Sequence, residues 1–266
     1  HTLEQWLLKD APFKFKQMGS DQCCFWCQVG KEFMVLFLHV DDMIVLTTSV
    51  DLKVKLFDAI KKRFEFEDKG VLDYFLGITI KRDRENKKTT LDMNAYIKDK
   101  LKEFKLEGKK AYTTPHVQGD DHELGEVLQG DQATEYRSMV GALLWVCLVR
   151  PDVAHTVNKL SQSMQSPHEF HKKQAERCWQ YLGGTINECL TYSMEHAHLE
   201  APLGVGYMHL PQSEGYVATG YVDANLKVPK STTGFVFKIG GGTVIAKSKL
   251  QPVTAIMTYD AEYYAL

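Results

Sequence analysis

Phe33-Met34-Val35-Leu36-Phe37-Leu38-His39-Val40-Asp41-Asp42-Met43-Ile44-Val45-Leu46 is two apolar runs joined by a polar tetrapeptide. Apolar runs of this length on either side of turn residues read as two strands of a hairpin, with Asp41 and Asp42 at its bend. Aspartate is an ordinary turn residue, so the pair needs no function to be there. The sharper reading is a divalent metal. Adjacent carboxylates in a buried hairpin repel, and desolvation disfavours their charged forms, so a cation that neutralises them is a natural companion.

Outward from the hairpin, Thr48 or Ser49 can cap a helix in which Leu52, Leu56, Ile60 and Phe64 recur every four residues, with Asp51 in its first turn. Leu76 to Ile80 reads as a strand, Lys87-Lys88 as a turn, and Thr89 to Met93 as the next strand. Asn94 opens a helix with Ile97, Leu101 and Phe104 on one face. Gln118 to Gly130, rich in Gly and Asp without periodicity, is the candidate linker. Three helices follow, over Gln132 to Val149, from Pro151, and over Pro167 to Leu182, with Gly183-Gly184 expected as a left-handed stop. The period then shifts to two, giving strands at Cys189 to Met194, Tyr216 to Val222, Gly234 to Ile239 and Thr243 to Ser248. Tyr259 to Leu266 opens a last helix.

Composition leaves the class open. The chain has 266 residues, 44% of them hydrophobic, enough for two domains or more. Its 32 basic and 34 acidic residues give no global basic footprint. Locally the balance differs: Lys81 to Lys110 holds eleven Lys/Arg against six Asp/Glu, and Gln118 to Glu135 holds six acids and no base. The first stretch suits either a solvated helix face or contact with phosphates. No apolar run approaches the ~20 residues that span a bilayer, and no signal peptide opens the sequence, so a soluble intracellular protein, cytoplasmic or nuclear, is expected without a membrane partner. Six cysteines do not resemble a disulfide framework. Cys23-Cys24-x-x-Cys27 has no second Cys/His pair at zinc spacing and reads as core thiols.

Several blocks of the sequence, in order, resemble the C-terminal half of the polymerase of copia-type retrotransposon polyproteins. Phe15 to Phe25 looks like the lead-in to the polymerase hairpin, and Phe37 to Asp42 (FLHVDD) like the Tyr-Val-Asp-Asp box of reverse transcriptases. Phe64 to Ile78 (FEFEDKGVLDYFLGI) resembles the family's Phe-Leu-Gly-Ile block, and Thr114-Pro115 its Thr-Pro step. Tyr136 to Val153 and His171 to Thr185 are similar to its two helical connection motifs. Gly220 to Asn225 (GYVDAN), Lys230 to Phe237 (KSTTGFVF) and Asp260 to Leu266 (DAEYYAL) look like the opening half of its ribonuclease H.

The resemblance implies an α+β fold: a partial reverse-transcriptase palm with thumb-like helices over residues 1–115, a linker and helical connection over 116–188, and a truncated ribonuclease H-like mixed sheet over 189–266. It implies RNA-directed DNA polymerase and ribonuclease H chemistry by two-metal phosphoryl transfer, with magnesium, or manganese in its place, on an RNA template, a DNA primer, an RNA–DNA hybrid and deoxynucleotides. Asp41 is then the stronger metal ligand and Asp42 the auxiliary one, Asp223 and Glu262 match the first two ribonuclease H carboxylates, and Asp260 is a bystander. His39 stands where the family has Tyr and is expected as a half-buried strand residue. A further palm aspartate and the fingers are expected before His1, and the remaining ribonuclease H acids after Leu266. The stretch from Asp223 to Ser231 is about four residues shorter than the family pattern, within the range of a connecting loop. Catalysis by this chain alone is therefore not expected. The alternatives are a non-catalytic remnant that binds nucleic acid or protein, and one piece of a longer active protein. The oligomeric state is not legible in the sequence.

Overall fold

The computed structural model describes residues 2–117, 124–193, 218–227 and 229–265. They divide into two compact units, residues 1–72 and 73–266.

The first unit runs α1 (Thr2–Lys9), β1 (Lys16–Gln17), β2 (Cys24–Val29), β3 (Glu32–His39), β4 (Asp42–Thr47) and α2 (Val50–Lys61). Its strands form one antiparallel sheet in chain order, β1-β2-β3-β4. Alternation decides which side chains enter the core. Phe25, Cys27, Met34 and Leu36 point to one face and bury with Trp6, Leu7, Leu52, Leu56 and Ile60 of the helices. Full burial of such side chains is worth about 1.5–3 kcal/mol each. Helix α2 begins as the sequence suggests: the Ser49 side chain accepts from Leu52 N–H, and Asp51 lies in the first turn. Cys27 is buried in this core and Cys24 is buried opposite Phe37 on the other face, and desolvation by burial raises both thiols, whereas Cys23, expected as a core thiol, is exposed.

The second unit continues with β5 (Tyr74–Phe75), β6 (Ile78–Asp83), β7 (Lys88–Asp92) and α3 (Asn94–Glu103). Leu76 is not in a strand. With φ 50 at Leu76 and 85 at Gly77, the two residues make the turn from β5 to β6, which starts the strand two residues later than expected. Helix α3 starts where Asp92 Oδ1 accepts from Asn94 N–H. The linker expected over Gln118 to Gly130 lies outside the described residues from 118 to 123. Its remainder is held down: Leu128 N–H donates to Pro167 O at 2.8 Å, Glu169 N–H to Glu126 O at 3.0 Å, and Leu128 is buried.

Helices α4 (Gly130–Val146), α5 (Ala154–Ser161) and α6 (Glu169–Gly184) follow, with a 3-10 turn over Pro151–Val153 leading into α5. They bury Tyr136, Met139, Leu143, Val157, Cys178 and Trp179 with Ile97 of α3 in one core. Gly183 and Gly184 do not stop α6 in the left-handed region; the helix runs through them and is capped at Thr185. Their smallness serves packing instead. A Cβ on Gly184 would meet the Ala111 Cβ at 2.6 Å, and one on Gly183 the Leu101 Cδ1 at 3.0 Å. Where the helices turn, Arg150 is buried and holds Asp152 through Nε and Nη2, while Nη1 donates to Thr185 O and Nη2 also to Thr185 Oγ1.

The chain ends with β8 (Leu190–Ser193), β9 (Ala218–Asn225), β10 (Thr232–Ile239), β11 (Gly242–Leu250) and α7 (Thr258–Tyr263). Strand β8 pairs with β7 and completes an antiparallel sheet β5-β6-β7-β8. The three other described strands form a separate sheet, β11-β10-β9, in which both described pairings are antiparallel where a mixed sheet was expected. The fold is thus mixed α and β with antiparallel sheets.

Candidate functional site

The register of β3 and β4 is unbroken from Met34↔Thr47 to His39↔Asp42, which leaves Val40 and Asp41 as a two-residue turn. Val40 has φ 53. A positive φ at the first central residue is what a tight hairpin of this length asks for, and glycine is the usual occupant. A β-branched residue in that region is strained, at a cost of about 1–3 kcal/mol. Val40 is also 92% exposed, so no packing offsets the strain.

Asp41 in the turn and Asp42 at the first position of β4 are both exposed. The bend is therefore not a buried one, and the desolvation argument for a neutralising cation does not hold here: water can solvate both carboxylates. His39, across from Asp42, is exposed rather than half-buried.

Strand parity adds a feature that sequence reasoning missed. Asp42 shares its face with Ile44 and Leu46, and their partners on β3 are His39, Phe37 and Val35. This is the face turned away from the helices. It carries Trp26 of β2 as well, with Phe33 5.9 Å from it ring to ring and Lys16 Nζ over the Trp26 ring at 5.0 Å. Phe33, Phe37 and Leu46 stay 40%, 37% and 44% exposed. A sheet with one solvated face ordinarily alternates apolar and polar residues. The signal was the failure of β3 and β4 to alternate.

The second pair of acids is built differently. Asp223 is exposed on β9 opposite Gly234 of β10, on the face it shares with Tyr221 and Asn225. Glu262 is half-buried in α7. That helix is tied to the sheet by Gln251, whose Nε2 donates to Thr233 Oγ1 at 3.0 Å and to Ala261 O at 2.7 Å. Thr233 is the partner of Ala224, so the tie is made on the face from which Asp223 points away. Asp260 does local work, its Oδ2 accepting from Met257 N–H at 3.2 Å.

Among the described residues, no group of three or more His, Cys, Asp or Glu side chains is placed to hold one metal ion together. Asp41 and Asp42 do fit magnesium in donor type, since that ion takes one or two hard carboxylates and keeps several waters. They do not by themselves supply ligands for two ions. No helix among the described residues is long and apolar enough to cross a membrane.

The reverse transcriptase (RNA-dependent DNA polymerase) family matches residues 2–118. The chain is 30% identical to a retrovirus-related Pol polyprotein from the transposon TNT 1-94 of Nicotiana tabacum, over 98% of this chain and 19% of that protein. It is also 30% identical to the Pol polyprotein from transposon RE1 of Arabidopsis thaliana, over 94% of this chain and 16% of the relative. An uncharacterized mitochondrial protein of Arabidopsis thaliana is 28% identical over 88% of this chain and 90% of its own length. The chain thus spans less than a fifth of the two polyproteins. No solved structure gives a significant match.

Proposed function

Residues 2–118 belong to the reverse-transcriptase family and the chain is related along most of its length to copia-type retrotransposon Pol polyproteins; from that premise we propose that it is part of an RNA-directed DNA polymerase, with Asp41 and Asp42 as its metal-binding carboxylates. The supporting observation is the acid pair at the hairpin bend inside the matched segment, Asp41 in the two-residue turn and Asp42 at the start of β4, both exposed and bordering an open sheet face. Magnesium held by Asp41 and Asp42 would supply activation of a primer hydroxyl and neutralisation of phosphate charge. The protein's own contribution is placement: β3 and β4 fix the two carboxylates at the end of a rigid ladder, and the exposed position admits a polyanionic ligand. Template, primer and deoxynucleotides are the substrates in this reading, and Asp223 and Glu262 mark a ribonuclease H-like part.

In this reading the chain alone does not extend a primer, because two carboxylates do not by themselves supply the ligands for two metal ions. Purified protein, given a primer–template, deoxynucleotides and magnesium or manganese, yields no extended product; robust metal-dependent extension overturns this point. A second reading, a non-catalytic nucleic-acid binder, draws on the exposed Lys98, Lys102, Lys105, Lys109 and Lys110. Anisotropy of a labelled primer–template separates the two. Binding that falls steeply with salt and ignores Asp41→Asn/Asp42→Asn supports the binder, whereas binding that magnesium strengthens only with both aspartates present supports the polymerase site. No binding at low salt removes both.

A further inference from the structure

Strand β8 touches two sheets at once. On one side it pairs with β7 over four positions, Lys88↔Ser193, Thr89↔Tyr192, Thr90↔Thr191 and Leu91↔Leu190. On the other it receives the turn between β10 and β11: Ser193 N–H donates to Gly240 O at 2.8 Å, and Tyr192 Oη to Thr243 O at 2.6 Å. The approach is close enough to demand glycine. A Cβ at position 242 would lie 2.5 Å from the Tyr192 ring and 2.7 Å from Thr191 O, and one at position 240 would lie 3.0 Å from Ser193 O. Gly240 and Gly241 also have φ 58 and 76, a turn geometry that fits a two-residue hairpin and favours glycine.

Strand β8 is also anchored below. Leu190 is buried in the helical core and Tyr192 packs against it, where burial raises the tyrosine hydroxyl's pKa. The far end of the hairpin rests on α5, where His155 Nδ1 and Asn158 Nδ2 both reach Ser248 Oγ at 3.4 Å. The C-terminal hairpin is therefore supported by a strand whose own ladder partner lies about a hundred residues earlier.

We propose that β8 is a mechanical coupler, so that the β6–β7 hairpin and the C-terminal sheet β9–β11 cannot shift or open independently. Packed elements of this kind do not deform smoothly, and a displacement on one side of β8 must be taken up on the other. Such a device gives a ligand bound at either sheet an effect on the other without contact between the two. It does not depend on the proposed catalytic role.

Amide hydrogen exchange on the full chain tests it in both directions. Tyr192→Phe removes only the bond to Thr243 O and keeps the ring; exchange is expected to quicken about fivefold, the effect of one ordinary hydrogen bond, in β10–β11 and in β7–β8 together. Thr89→Gly, on the opposite side of β8, is expected to quicken exchange at Gly242 to Ser248 as well as in its own strand. If Tyr192→Phe quickens exchange only in β10–β11, where its bond is lost, and Thr89→Gly only in β5–β8, the other sheet keeping the unsubstituted rate in each case, the coupling is absent. Gly242→Val is the stronger perturbation, and Tyr192→Phe keeps the test decisive if that variant does not fold.

Discussion

In the first unit a sheet is covered on one face only, while in the second the helices α3 to α6 enclose their core from several sides. The same kind of residue therefore has different consequences in the two. In residues 1–72 the parity of a strand position decides between burial and exposure, and Leu36 and Phe37 are neighbours with opposite fates. In the second unit Trp179 is buried with no exposed surface, ringed by residues from several helices, and rests 5.5 Å from the Phe104 ring. A covered face stabilises; an open face of the same hydrophobicity is available for something else.

The sharpest break of this contrast is at Trp179. Trp179→Ala is expected to cost about 3–5 kcal/mol, read as a drop in the urea midpoint of the second unit, since no small side chain fills that space. In the sheet, Leu36→Ala is expected to cost about 2–5 kcal/mol and Phe37→Ala less than about 0.5 kcal/mol. Equal costs at the two positions would mean that the open face is covered and the contrast is wrong.

Asp152 gives a pH signature confined to the second unit. Burial pushes its carboxyl up, but hydrogen bonding and charge from Arg150, with the Tyr181 hydroxyl, outweigh that and hold it below the usual carboxylate range. A depressed folded pKa contributes stability that is complete above the unfolded value of about 4 and is lost as pH falls through the folded one. Asp152→Asn is expected to lower stability at pH 7 and to flatten its decline below about pH 4; an unchanged acid limb would show that the pair contributes nothing. The turn gives a change of the opposite sign. Val40→Gly relieves a strained φ and is expected to raise stability by about 1 kcal/mol, measured as a higher thermal midpoint.

Much of this organisation is legible in the sequence, for reasons that the residues themselves give. The β3–β4 hairpin, α2 with its Ser49 cap, and the helices from Gly130 to Gly184 each rest on contiguous patterning and local capping. The failures are non-local. Nothing near Leu190 announces that its strand pairs with Lys88 to Leu91, and nothing near Gly184 says that Ala111 will press against it. At the site, the bend and its two aspartates are legible, and the open face is hidden because contiguous apolar runs read as a buried hairpin. Exposure of the bend then removes burial as the reason for a cation and leaves the family as the reason. Leu76 was misplaced because a Leu-Gly step read as strand turned at positive φ.

The central claim is that Asp41 and Asp42 form a divalent-metal turn, and paramagnetic broadening by manganese tests it most directly. In NMR spectra of the isotope-labelled chain, manganese at low concentration should broaden the amide signals of His39 to Met43 first, and Asp41→Asn with Asp42→Asn should abolish that local effect while leaving the fold intact. Uniform broadening across many acidic surface residues, unchanged by the double substitution, would contradict the account.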